Sequence, residues 1–211
     1  MKEQHVTFPS GAITLEGLLA KPEGLKEVRG AVVCHPHPLY GGSMHNNVVN
    51  AALEAMWKAG WATLRFNFRG VGESGGEHSG GAGEADDAIA AVKFLTSQSG
   101  VNSHGAVLAG YSFGAMAALL AAKQLTDLGA LMLIALPIRM ADPAALEKFA
   151  QPIILAAGDS DDYCPAKQLA DVQKQLGARA QLRIIEGADH FFSGYEEELA
   201  AALGEMLKAV R

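Results

Sequence analysis

Two serines in this chain lie within the pattern G-x-S-x-G, at Gly110-Tyr111-Ser112-Phe113-Gly114 and at Gly72-Glu73-Ser74-Gly75-Gly76. The pattern suits nucleophilic catalysis because flanking glycines let a strand turn sharply into a helix, which presents the serine Oγ at the turn. In a glycine-rich chain it also arises by composition, so the flanking residues must decide. Ser112 follows the apolar run Ala106-Val107-Leu108-Ala109 and opens the helical run Ala115 to Ala122. A helix starting there aims free N–H groups and a positive dipole end at a developing oxyanion. Ser74 lies well past its strand and runs into more glycine, so it reads as a surface turn. The plainer reading of Ser112, a helix N-cap in a structural turn, has less to say about a strand that runs straight into it.

A serine hydroxyl needs a base, and the base needs an orienting carboxylate. For a strand–serine–helix arrangement the order along the chain is Ser, then Asp or Glu, then His. Of seven histidines, His190 alone follows Ser112, in Gly187-Ala188-Asp189-His190-Phe191-Phe192 after the strand candidate Gln181–Ile185. Asp159, Asp161 and Asp162 follow the strand candidate Ile153–Ala157 and are open candidates for the acid. Asp189 adjoins His190, and chain neighbours seldom face each other's side chains, so it reads as a loop-stabilising residue.

A third loop, His35-Pro36-His37-Pro38-Leu39-Tyr40-Gly41-Gly42, follows the first parallel strand. A second oxyanion N–H is expected from such a loop, the first coming from Phe113. Proline has no N–H, which leaves His37, Leu39 or Tyr40 as donor. His35 and His37 with His45 suggest a metal, but no recognised ligand spacing completes the set, so neither metal nor cofactor is expected.

These loops need a scaffold that brings strand ends together. Short apolar runs at Ala31–Cys34, Ala62–Phe68, Ala106–Ala109, Ala130–Leu136, Ile153–Ala157 and Gln181–Ile185 alternate with helical stretches at Asn47–Ala59, Glu84–Ser97, Ser112–Leu125, Pro143–Phe149, Pro165–Leu176 and Glu196–Val210. Uniformly apolar strands separated by helices imply a doubly wound, mostly parallel sheet covered on both faces. Val6 and Phe8, a turn at Pro9-Ser10-Gly11, and Thr14–Ala20 suggest an N-terminal antiparallel hairpin. Gly70–Gly83, with seven glycines, reads as the one flexible stretch. The segment between Ser112 and Asp161 is filled by regular elements, which leaves no room for a cap domain.

The bulk properties agree. A chain of 211 residues suits one domain, 1–211, with a full core. A net charge of −6 gives no basic patch for nucleic acid. No secretory h-region precedes Ser10, and the longest apolar stretch, Leu128 to Ile138, is too short to span a bilayer, so a cytoplasmic protein without a membrane partner is expected. Cys34 and Cys164 form no disulfide framework, and Cys34 reads as core.

The joint set of His35–Gly42, Phe66-Asn67-Phe68-Arg69-Gly70-Val71-Gly72-Glu73-Ser74, Gly110–Gly114, Gly158–Asp161 and Gly187–Phe192 resembles small bacterial α/β-hydrolases of the dienelactone-hydrolase-like superfamily. The resemblance covers nearly the whole chain and implies an α/β-hydrolase fold. Dienelactone hydrolases proper use a cysteine nucleophile; Ser112 departs from that and implies carboxylesterase-like chemistry. Relatives place the acid three residues after the strand-ending glycine and a proline four further on. Counted from Gly158, those landmarks are Asp161 and Pro165, with Asp162 left to help cap the helix that follows. The resemblance also makes the Ser74 loop structural. The expectation is therefore a carboxylesterase acting on small-molecule esters through Ser112, His190 and Asp161, with Phe113 and His37 or Leu39 N–H groups as the oxyanion hole. A thioesterase, lactonase, peptidase or acyltransferase with the same triad is the nearest alternative, and a non-catalytic binding module is a further one.

Overall fold

The computed structural model describes residues 1–141 and 144–210. Eight strands form one mixed sheet: β1 (Gln4–Ser10), β2 (Ile13–Ala20), β3 (Gly30–Cys34), β4 (Ala62–Phe66), β5 (Ala106–Tyr111), β6 (Leu128–Ile134), β7 (Ile153–Gly158) and β8 (Ala180–Ile185), in the order β1-β2-β4-β3-β5-β6-β7-β8. The first two strands form the expected antiparallel hairpin, with Gly11 taking the left-handed conformation its tight turn requires. From β4 onward every pairing is parallel. β3, β5 and β7 are buried at every residue, which only a sheet covered on both faces allows. The edge strands β1 and β8 have the mixed pattern of elements with one wet side.

The helices α1 (Asn47–Lys58), α2 (Ala82–Thr96), α3 (Phe113–Ala122), α4 (Ala144–Glu147) and α5 (Ala166–Leu176) link successive strands from β3 to β8, and α6 (Glu196–Leu207) follows β8. α1 packs on α6 and α2 on α3. α3 is Ala-rich and buried on nearly every side, as a helix pressed between sheet and neighbour must be. The expected helix at Pro143–Phe149 is observed as α4, its Pro143 lying outside the described residues. Between β6 and β7 the described chain carries no cap. Among the described residues, no helix is long and apolar enough to cross a membrane.

One boundary differs for a physical reason. The strand expected over Ala62–Phe68 stops at Phe66: Asn67 N–H still reaches Glu16 O of β2, but Phe68 N–H is taken by the His35 side chain, donating to Nε2 at 3.0 Å. Strand register then sets the site. Cys34 pairs with Gly110 and Tyr111 with Ile134, so the loop after β3 starts beside Ser112. Gly158 pairs with Ile185, so the loops carrying Asp161 and His190 leave the sheet side by side.

Candidate active site

Ser112 has φ 55° and ψ −119°, a left-handed conformation that costs a non-glycine residue about 1–3 kcal/mol. The surroundings enforce it. Ser112 N–H donates to Ile134 O at 2.9 Å, which ties the turn to the neighbouring strand, while Ala115 N–H closes onto Ser112 O. A Cβ on Gly110 would lie 2.1 Å from Gly114 O, and one on Gly114 would lie 2.4 Å from Cys34 O. Both glycines are therefore required by backbone-to-backbone contact among β5, α3 and the end of β3. The Ser112 side chain caps no helix N–H; its Oγ lies 2.9 Å from His190 Nε2.

His190 Nδ1 lies 2.8 Å from Asp161 Oδ2. Asp161 is 3% exposed, and its other oxygen accepts N–H bonds from Tyr163 and Cys164, both at 2.8 Å. A buried carboxylate with every contact satisfied has one orientation, and it fixes the imidazole with Nδ1–H inward and the Nε2 lone pair toward Ser112. The Tyr111 hydroxyl donates to His190 O at 2.9 Å, and burial, with the charges of Asp161 and Asp189, pushes the Tyr111 pKa up so that it stays a donor. The rings of Tyr163 and Phe191 flank the imidazole, with centroids at 4.7 and 5.6 Å.

The other acidic candidates are engaged differently. Asp159 Oδ1 accepts from Gly187 N–H and the Ser160 hydroxyl, and Asp189 Oδ1 accepts from the N–H groups of Phe191 and Phe192. Asp162 is exposed and does not cap the helix as expected, since α5 begins after Pro165 with no side-chain cap.

On the other side of Ser112, the loop after β3 folds onto itself. Leu39 N–H is directed to His37 Nδ1 at 3.2 Å and Tyr40 N–H to His37 O at 3.1 Å. No described protein group accepts the N–H of His37 or of Phe113. The two side chains are in contact, ring centroids 4.8 Å apart. A Cβ on Gly42 would lie 2.1 Å from Pro36 O, so only glycine closes this turn.

Three residues that hold this face together were missed or misread from sequence. His35 is buried, with Nδ1 donating to Pro36 O at 2.6 Å and Nε2 accepting from Phe68 N–H. Burial lowers its pKa to about 4, so it is neutral and joins two loops. Among the described residues, no three His, Cys, Asp or Glu side chains are grouped as a metal site. Ser74 is buried rather than on a surface turn: its hydroxyl donates to Asn67 O at 2.7 Å and accepts from Glu16 N–H at 3.1 Å. Glu84 is buried and accepts from Ser79 N–H, the Ser79 hydroxyl and Gly81 N–H, with His78 Nδ1 at 2.9 Å. Burial opposes its charge, but these hydrogen bonds outweigh it and hold the carboxyl below its usual range. The glycine-rich stretch read as flexible is thus fastened at Ser74, at Glu84 and by the Arg69–Asp87 ion pair. A compositional reading could not detect this, because the partners lie elsewhere in the chain.

Comparison with known proteins places this geometry in context. Residues 76–209 match the model of the dienelactone hydrolase family. A Rickettsia prowazekii protein described as uncharacterized is 34% identical over 219 residues, covering 100% of this chain and 90% of its own. An α/β serine hydrolase homologue from Coxiella burnetii superposes with a TM-score of 0.88 at 32% identity, over 98% of both chains. A Xanthomonas campestris protein described as a serine hydrolase without a lid superposes with a TM-score of 0.86 at 30% identity, over 99% of this chain and 94% of its own.

Proposed function

The chain belongs to the dienelactone hydrolase family, and from that premise we propose that it is a serine carboxylesterase with Ser112 as nucleophile, His190 as general base and acid, and Asp161 as the orienting carboxylate. The observation that carries this reading is the unbroken series from Ser112 Oγ to His190 to Asp161, at 2.9 and 2.8 Å, anchored on a strained serine. His190 Nε2 takes the hydroxyl proton as Ser112 Oγ bonds to the ester carbonyl carbon. The carbonyl oxygen becomes an oxyanion held by the N–H groups of Phe113 and His37, donors that no described protein group accepts. Collapse of the tetrahedral intermediate breaks the bond to the alcohol oxygen, which takes the proton from His190. Water then repeats the sequence on the acyl-enzyme, releasing the acid and restoring Ser112.

Cys34 does not compete for the role of nucleophile. It is buried at the end of β3, and burial pushes its thiol pKa up, away from the reactive thiolate. Without a cap, the site leaves a long acyl chain in water, so acyl groups of about two to six carbons are the substrates that fit best. The test is a panel of esters, thioesters, lactones and amides assayed with the purified chain, the esters graded in acyl length. Fastest turnover of short-acyl esters is expected. Preference for thioesters or lactones would move the assignment to another acyl-transfer class, and preference for a sixteen-carbon acyl ester would overturn the open-site argument.

A further inference from the structure

Among the described residues, five of the eight exposed large apolar side chains lie at the carboxyl end of the sheet. Leu39, Tyr40, Met140, Tyr163 and Phe191 all lie on loops that leave the carboxyl ends of β3, β6, β7 and β8. Single exposed apolar residues call for no explanation. Two exposed aromatic rings flanking one imidazole do: besides the buried Tyr111 ring, Tyr163 and Phe191 sit at 4.7 and 5.6 Å from the His190 ring while each remains 58% exposed.

Their main chains already account for their structural work. Tyr163 N–H donates to Asp161, Phe191 N–H donates to Asp189, and Phe191 O accepts from Asn47 Nδ2 at 3.0 Å. Any side chain would permit those bonds, so neither local hydrogen bonding nor core packing explains why both positions carry rings. The function of His190 supplies a reason. If His190 protonates the departing alcohol, the atoms next to the leaving oxygen must lie against the imidazole and whatever flanks it. We infer that Tyr163 and Phe191 form a leaving-group clamp, and that the substrate is an ester whose alcohol part carries a flat aromatic ring, as in an aryl or arylmethyl ester. This rests on the ester-hydrolysis reading above.

Benzyl acetate and cyclohexylmethyl acetate test it, because their alcohols are similar in size and basicity and differ chiefly in flatness and π character. The wild-type chain is expected to favour benzyl acetate by about tenfold in kcat/KM, the effect of stacked or edge-on rings. Y163A/F191A should bring that ratio to within about twofold of unity, whereas Y163F, which keeps the ring, should retain the preference. A wild-type ratio near unity would overturn the clamp. So would a double variant that loses equally on both esters, since the rings would then be supporting His190 and not the leaving group. Failure to turn over either ester would instead remove the ester-hydrolysis reading on which the clamp stands.

Discussion

Gly72–Gly76 and Gly110–Gly114 match the same five-residue pattern, yet their serines are bonded in opposite ways. Ser74 Oγ both donates to and accepts from main-chain groups, binding Asn67 O and Glu16 N–H, from segments far apart in sequence. Ser112 Oγ meets one side chain, the Nε2 of His190, from a backbone conformation that L-residues avoid. A satisfied hydroxyl is a fastener; on the proposed function, a hydroxyl held in strain against a base is the one that reacts. What separates the two is the element on either side. β5 runs directly into Ser112 and α3 leaves it, whereas Ser74 sits in a loop that returns to β2.

The largest expected effect sharpens the chemical half of this contrast. Asp161→Asn should lower kcat on a short ester by about 10³- to 10⁴-fold while leaving the fold intact, because the amide no longer sets the His190 tautomer. Asp159→Asn and Asp162→Asn should each cost less than about tenfold. A large loss at Asp162 with little at Asp161 would break the register assignment.

The structural half is broken or upheld at Ser74. Ser74→Ala strands a buried carbonyl and a part-buried N–H, which costs about 1–3 kcal/mol and should lower Tm by about 2–10 °C, with kcat changed by less than about threefold. An unchanged Tm together with lost activity would reverse the roles of the two serines.

An effect of similar size, but confined to a pH window, concerns His35, which joins the loop after β3 to the chain leaving β4. Its pKa in the folded chain is about 4, below the ordinary 6.5. Between those values the unfolded chain binds the extra proton and the folded one does not. The contribution is therefore fully present above pH 6.5 and is lost as pH falls toward 4, on the order of 3 kcal/mol in all. Urea denaturation across that range should show wild-type stability falling toward that of His35→Asn; parallel curves would contradict a neutral buried His35.

The inner parallel strands β3, β5, β6 and β7 were legible because they are apolar nearly throughout, and the elbow at Ser112 because strand and helix abut it. His190 followed from chain order, and Asp161 from its spacing to Gly158 and Pro165 as relatives have it. The loops were harder. His35, Ser74 and Glu84 are buried polar residues whose partners are main-chain groups of other loops, and no periodicity marks such pairs. The choice among His37, Leu39 and Tyr40 depended on which N–H groups the turn itself consumes, and only the folded loop reveals that. Asp162 had the type and spacing for a cap, yet α5 starts beyond its reach.

The most direct test of the contrast between the two serines is covalent labelling with a fluorophosphonate, followed by mass spectrometry of the digested chain. One phosphonyl group is expected, on the peptide carrying Ser112, absent from S112A and retained in S74A. A label on the peptide carrying Ser74, or labelling of S112A at the wild-type rate, would contradict the account.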